Sequence, residues 1–168
     1  MFSKNFKSLR FMLLIFLVTT FLMNYVLINA YIPSGSMENT IMTGDRVIGL
    51  RFIRHYNRGD IVIFPDPDGG GYYLIKRIIG LPGDTVTIQG GTVSINGTPL
   101  EEPYLKETMR KDETFSITVP DGGYFMMGDN RNDSFDARYW ENKIVYEENI
   151  TGKAVLRYWP VPSFGPVS

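Results

Sequence analysis

The chain contains no cysteine, so a disulfide framework, a thiolate metal site and a cysteine nucleophile are all excluded. His55 is its only histidine, which removes metal clusters built on several imidazoles and most familiar zinc sites. Any general base must therefore be His55, a carboxylate, a tyrosine or a lysine. No Lys/Arg-rich block stands out from the 17 basic and 18 acidic residues, a formal charge of minus one, so the electrostatic footprint of a nucleic-acid partner is missing. Helical periodicity of convincing length is missing after residue 30. What remains, in 168 residues that are 43% hydrophobic, is room for one compact core and one extra segment.

That extra segment lies at the N-terminus. Residues 2–10 carry Lys4, Lys7 and Arg10 and nothing acidic, and residues 11–28 then run without a charge, rich in Leu, Phe, Ile and Met. At about 1.5 Å per helical residue such a run reaches roughly 27 Å, close to the thickness of a bilayer's hydrocarbon layer. The basic flank favours the cytoplasmic side. The expected layout is a cytoplasmic basic stretch at 1–10, a transmembrane helix at 11–30 and an extracytoplasmic domain at 31–168, which puts the protein in the cell membrane as a single-pass species in contact with the lipid bilayer. From residue 11 onward 14 basic residues stand against 18 acidic ones, so the exported part carries a charge of minus four. A cleaved signal peptide ending at Ile28-Asn29-Ala30 is the competing reading. It is disfavoured by the length of the run and by the bulk of residue 28. A buried core helix is disfavoured because the run has no polar face.

From Asp45 onward the texture changes to short β-rich runs separated by turn signals. Candidate strands are 46–53, 60–64, 72–81, 85–89, 92–95, 114–119, 124–127 and 153–158. Gly90-Gly91 reads as a two-residue hairpin turn, and Asn96-Gly97 as another turn signal. The fold class is mainly β: a compact, barrel-like domain of many short antiparallel strands behind one apolar helix. Residues 69–71 and 101–112 read as solvated loops. Trp140, Tyr158, Trp159 and Phe164 could rest at a membrane interface, though packing in the core is the commoner fate of such residues.

The chemistry-bearing candidate is Ser36, in Ile32-Pro33-Ser34-Gly35-Ser36-Met37-Glu38-Asn39-Thr40. A serine that acts as a nucleophile needs a base and donors for the developing oxyanion. Taken alone, Ser-Gly-Ser is an ordinary solvated turn. In residues 72–80, strand alternation puts Leu74, Lys76 and Ile78 on one face and Ile75, Arg77 and Ile79 on the other. Burial among such neighbours would lower the pKa of Lys76 toward the range of a base. From the pattern alone, Lys76 and Arg77 read better as charged gatekeepers on an exposed edge strand. Residues 128–138 likewise read as a polar loop with an Asp/Arg pair.

The order of these pieces carries more than each piece separately. Pro33-Ser34-Gly35-Ser36-Met37 is followed by Gly44-Asp45-Arg46-Val47 and Arg58-Gly59-Asp60-Ile61-Val62-Ile63-Phe64. Then come Lys76-Arg77-Ile78-Ile79-Gly80-Leu81-Pro82-Gly83-Asp84, Asn96-Gly97 with Glu101-Glu102-Pro103-Tyr104-Leu105, and Gly128-Asp129-Asn130-Arg131 with Ser134, Asp136 and Arg138. In these blocks, and in its single N-terminal anchor, nearly the whole chain closely resembles the membrane-anchored bacterial type I signal peptidases.

The resemblance implies that Ser36 is the nucleophile and Lys76 the general base of a serine/lysine dyad. It implies that the Ser34 hydroxyl and the Ser36 N–H form the oxyanion hole, that Ser134 orients the lysine, and that Asp136 and Arg138 are a supporting ion pair. It further implies cleavage of secretory preproteins outside the cytoplasmic membrane, with small residues at the first and third positions before the cut, and no metal or cofactor. Three positions depart from the family: Glu38, expected to point to solvent; Asn39, where proline is common; and Ala137, which replaces a common serine. The short interval between Lys76 and Ser134 resembles the compact members of the family. Two rival readings are a related serine/lysine processing peptidase with one dedicated client, as in pilus or conjugation systems, and a non-catalytic anchored β-domain that binds exported peptides.

Overall fold

The computed structural model describes residues 2–111 and 114–167; Met1, the Lys4 side chain, Asp112 of the expected 101–112 loop and Ser168 lie outside it. Helix α1, Phe2–Phe21, is built from Leu, Phe, Ile and Met without a glycine or proline, and runs on as a π-helical turn over Leu22–Val26. The stretch Lys7–Val26 is long and apolar enough to cross a membrane, and none of it is buried against the rest of the protein. The helix stops at Val26, short of the residue 30 expected from the apolar run. Leu27 turns extended, and strand β1, Leu27–Tyr31, pairs antiparallel with β2, Arg46–Leu50. The pairing edge offered by β2 overrides the local continuity of the apolar run.

The remaining strands are β3 (Ile61–Pro65), β4 (Tyr73–Gly80), β5 (Thr85–Gln89), β6 (Thr92–Ile95), β7 (Thr98–Pro99), β8 (Thr114–Thr118), β9 (Gly123–Met127), β10 (Val145–Tyr146), β11 (Gly152–Trp159) and β12 (Gly165–Pro166). They form two antiparallel sheets. The larger runs β1-β2-β11-β3-β4-β9-β10 with β12 attached to β11, and the smaller runs β7-β6-β5-β8. The expected strands are all present, mostly with bounds one to three residues shorter or longer. The very short β7, β10 and β12, and β1 inside the apolar run, were not among them.

Two strand textures follow from position. In β5 and β6, Val86, Ile88, Val93 and Ile95 alternate with exposed or half-buried polar residues, as a sheet with one wet face requires. The Gly90-Gly91 turn joins them with both residues at positive φ, a conformation open to glycine at little cost. β3 and β9 are buried almost throughout, so their apolar runs are continuous. The main core gathers Phe64, Ile78, Phe125 and Trp140, with Phe64 and Trp140 edge to face. A second cluster, including Ile32, Met37, Ile41, Ile61 and Ile63, lies beneath the segment that carries Ser36. Of the aromatic residues considered for an interface, Trp140 is core, whereas Trp159 and Phe164 are exposed. The 101–111 stretch is not simply solvated, since Met109 is buried in the main core.

Candidate active site

Ser36 sits in a run of turns set by local hydrogen bonds. The Glu38 N–H donates to the Gly35 carbonyl at 3.0 Å, and the N–H groups of Thr40 and Ile41 both donate to the Met37 carbonyl. Met37 and Ile41 point down into the second core with no exposed surface, which fixes the loop from below. Asn130 fixes it from the side: its backbone N–H donates to the Ser36 carbonyl at 3.1 Å, and its amide to the Gly35 carbonyl at 2.9 Å. Among the described residues, no acceptor engages the Ser36 N–H. A donor held in place and unspent is what a developing oxyanion needs.

Lys76 is on β4, opposite Val62 of β3. β4 lies between β3 and β9, so neither Lys76 nor Arg77 is an exposed gatekeeper; Lys76 is 2% exposed. Burial pushes the amine down from 10.5 to about 8, against the charges of Asp136 and Asp129, which favour the ammonium, and with that of Arg138, which opposes it. Asp136 is itself bound by the Arg138 guanidinium at 2.8 and 3.0 Å, so its field at Lys76 is largely cancelled and desolvation wins. Among the described residues the Lys76 amine makes no hydrogen bond or ion pair.

Ser34, Ser36 and Lys76 line one cavity of about 250 Å³, walled by residues 30–34 on one side and 72–76 on the other. They also line a second, of about 540 Å³, together with Ser134. The chain thus brings all four together, although no hydrogen bond joins Ser36 to Lys76 in this state. The Ser134 hydroxyl is buried and has no partner among the described residues. It faces Gly128, where a Cβ would fall 2.2 Å from Ser134 Oγ and 2.4 Å from the Ser36 carbonyl oxygen. Gly128→Ala is therefore expected to displace the Ser36 backbone and to cost about 1–3 kcal/mol, measured as a fall in the denaturation midpoint. An unchanged midpoint would show that this contact yields freely.

Asp136 also accepts the Gly128 N–H at 3.0 Å, and Arg138 donates to the Arg131 carbonyl at 2.6 Å, so the pair ties residues 128–138 into one unit. Residue-by-residue reading missed two further ion pairs. Arg77 and Asp129 are fully buried partners, bonded at 2.8 and 2.7 Å, with Thr40 donating to the same carboxylate and Arg77 stacked 3.9 Å from the Tyr104 ring centroid. Arg131 grips Glu102 with both ends of its guanidinium. A signal was available only for Arg77, which stands beside Lys76 in an otherwise apolar run; Asp129 and Arg131 lie in the stretch that reads as a polar loop. Their partners lie 29 and 52 residues away, which no local pattern reveals.

The three departures resolve separately. Glu38 turns away from Lys76: it accepts from Lys106 at 2.8 Å, and that contact holds its carboxyl below the ordinary value. Asn39 has φ of +88°, which proline, locked near −65°, cannot adopt, so the backbone here differs and is not merely less rigid. Its amide donates to the Tyr104 carbonyl at 3.2 Å. Ala137 is fully buried in the main core, where its methyl packs without a polar partner. His55 is exposed and lines neither cavity.

The family model described as signal peptidase, peptidase S26, matches residues 5–159. A protein of Synechocystis sp. named "Probable signal peptidase I-2" is 42% identical over 143 residues, 80% of this chain and 64% of that protein, just under two thirds of its length. Signal peptidase I of Bacillus licheniformis is 38% identical over 161 residues, 88% of this chain and 86% of that one. The crystal structure of a signal peptidase I from Enterococcus faecalis superposes with a TM-score of 0.52 at 38% identity, covering 60% of this chain and 97% of that one. The similarity thus extends across the N-terminal apolar helix and both sheets and takes in every block around Ser36 and Lys76, and the chain belongs to the signal peptidase family, peptidase S26.

Proposed function

We propose that this protein is a membrane-anchored serine endopeptidase that removes signal peptides from exported preproteins, with Ser36 as nucleophile and Lys76 as general base. The observation that carries the reading is a lysine whose pKa burial lowers to about 8, in the cavity it shares with Ser36. Lys76 accepts the Ser36 hydroxyl proton as Oγ attacks the scissile carbonyl, and the oxyanion is held by the Ser36 N–H and the Ser34 hydroxyl. The ammonium then returns its proton to the leaving amine, giving an acyl-enzyme and a new amino terminus. Neutral again, Lys76 draws a proton from the water that hydrolyses the ester. Ser134 orients the amine on closure around substrate, and the Asp136–Arg138 pair holds the strand end beneath it.

β4 supplies the substrate's track. β9 pairs only with its second half, from Arg77 on, which leaves an open edge at Tyr73 to Lys76 beside the dyad. An extended peptide adds to such an edge by β-augmentation, and the small cavity suits small side chains at the first and third positions before the cut. In this reading the apolar helix is the anchor, its basic end lies in the cytoplasm and the site stands at the outer face of the membrane.

The test is cleavage of a labelled preprotein by the full chain in detergent or vesicles. Ser36→Ala is expected to abolish the product, and His55→Ala to retain it. The rate should climb with pH through about 8 as Lys76 loses its proton. A rate flat from acid to alkaline pH would remove Lys76 from the role of base.

A further inference from the structure

We propose that the cavity walled by Phe135 and Tyr139 binds the first residues after the scissile bond and prefers an apolar or aromatic side chain there; the proposal rests on the peptidase reading above. Two cavities open from the dyad in different directions, sharing Ser34, Ser36, Tyr72, Leu74 and Lys76. The smaller one adjoins a third, of about 590 Å³, with which it shares Ala30, Tyr31, Pro33, Ile63 and Tyr73 as lining. That third cavity reaches Met23 and Leu27, where the apolar helix ends. On this side a trough runs from Ser36 to the anchor, and a signal segment still held in the same bilayer approaches along it. The chain beyond the cut must then leave on the other side, through the 540 Å³ cavity.

The wall of that exit carries an unexplained expenditure of apolar surface. Phe135 is 63% exposed and Tyr139 48% exposed, and neither belongs to either core. Their rings stack with centroids 6.0 Å apart and planes 14° from parallel, forming a flat face at the mouth of the cavity. The platform is braced: the Arg138 guanidinium lies 5.0 Å from the Tyr139 ring centroid and is itself fixed by Asp136. Phe135 stands between Ser134 and Asp136, so whatever contacts its ring is held in register with the dyad. Asp133 on the same wall disfavours an acidic side chain. A ring or branched aliphatic group laid on this face gains a stacking contact that alanine cannot make, on the order of three- to tenfold in kcat/KM.

The experiment uses the full chain in detergent micelles and quenched peptide substrates that are identical up to the cut and carry Ala, Phe or Asp as the first or second residue after it. A second series varies the residue two before the cut. Wild type is expected to favour Phe over Ala after the cut by three- to tenfold and to disfavour Asp. Phe135→Ala should bring the Phe/Ala ratio close to one, Phe135→Trp should keep it, and neither should alter the ratios in the second series. No preference after the cut in wild type, a preference that survives Phe135→Ala, or a change confined to the second series each overturns the inference while leaving the peptidase reading intact. Absence of cleavage of every peptide and of a preprotein by wild type overturns both.

Discussion

Lys76→Met is expected to lower kcat/KM for preprotein cleavage by on the order of 10⁴-fold or more, and to make the folded protein more stable at pH 7 by about 3 kcal/mol. The loss follows from removing the proton acceptor of a hydroxyl nucleophile. The gain follows from the same burial that makes the acceptor useful. In the folded chain the amine sits at about 8 instead of 10.5, so the unfolded chain binds the proton more tightly. Each tenfold difference in proton affinity is worth about 1.4 kcal/mol, which gives the figure above for neutral pH.

The sign fixes the pH window. Below about pH 8 both states hold the proton and the penalty of wild type is complete; between about 8 and 10.5 the folded state alone has lost it, and wild-type stability rises; above 10.5 both are neutral and the penalty is gone. The advantage of Lys76→Met should therefore be greatest at neutral pH and shrink as the pH rises through that window. Denaturant unfolding of the solubilised full chain, followed by tryptophan fluorescence, reads it directly. An advantage that is absent at pH 7, or that grows toward pH 10, would mean that burial does not lower the pKa of Lys76.

Asp129→Ala is expected to cost 3–5 kcal/mol, the usual consequence of leaving one member of a buried ion pair without its partner. Arg77 would keep its bond to the Gly59 carbonyl at 2.7 Å and its face on Tyr104, but lose both carboxylate contacts in a place where it is 3% exposed. The Thr40 hydroxyl would lose its acceptor too, and Thr40 lies on the same turn as Ser36. Cleavage should fall along with stability. The double variant Arg77→Met/Asp129→Leu separates charge from packing: it should recover most of the lost stability, because no buried charge remains. A cost under about 1 kcal/mol for Asp129→Ala would show that water reaches Arg77, and the buried-pair account would fail.

These two variants mark where the sequence stops being legible. The Ser36 loop, the lysine and the 128–138 segment stood out because each is a compact run of turn residues or alternating strand, in a family's order. The hairpin at Gly90-Gly91 was readable for the same reason, since turn chemistry and two-residue alternation act over a few bonds. The depressed pKa of Lys76 was not readable. Alternation gave it apolar neighbours on its own face, but an exposed edge strand would have satisfied that pattern equally well, and only the packing of the folded chain leaves the residue 2% exposed although β9 pairs no further than Arg77. Asn39 shows the converse, where a position noted only for its missing proline is a left-handed residue with its own hydrogen bond.

By itself the sequence determined the apolar span near the N-terminus, the antiparallel β texture, and the identity and order of the residues around Ser36, all of which depend on composition and short-range spacing. Only the tertiary structure decided that the helix yields to strand β1 at Leu27, that Arg77 finds Asp129 and Arg131 finds Glu102, that Lys76 is buried, and that Phe135 and Tyr139 line a cavity together with Ser36 and Lys76. The physical reason is that desolvation and ion pairing belong to a place in space and not to a residue. They arise when segments dozens of residues apart come into contact, and no local pattern records that meeting.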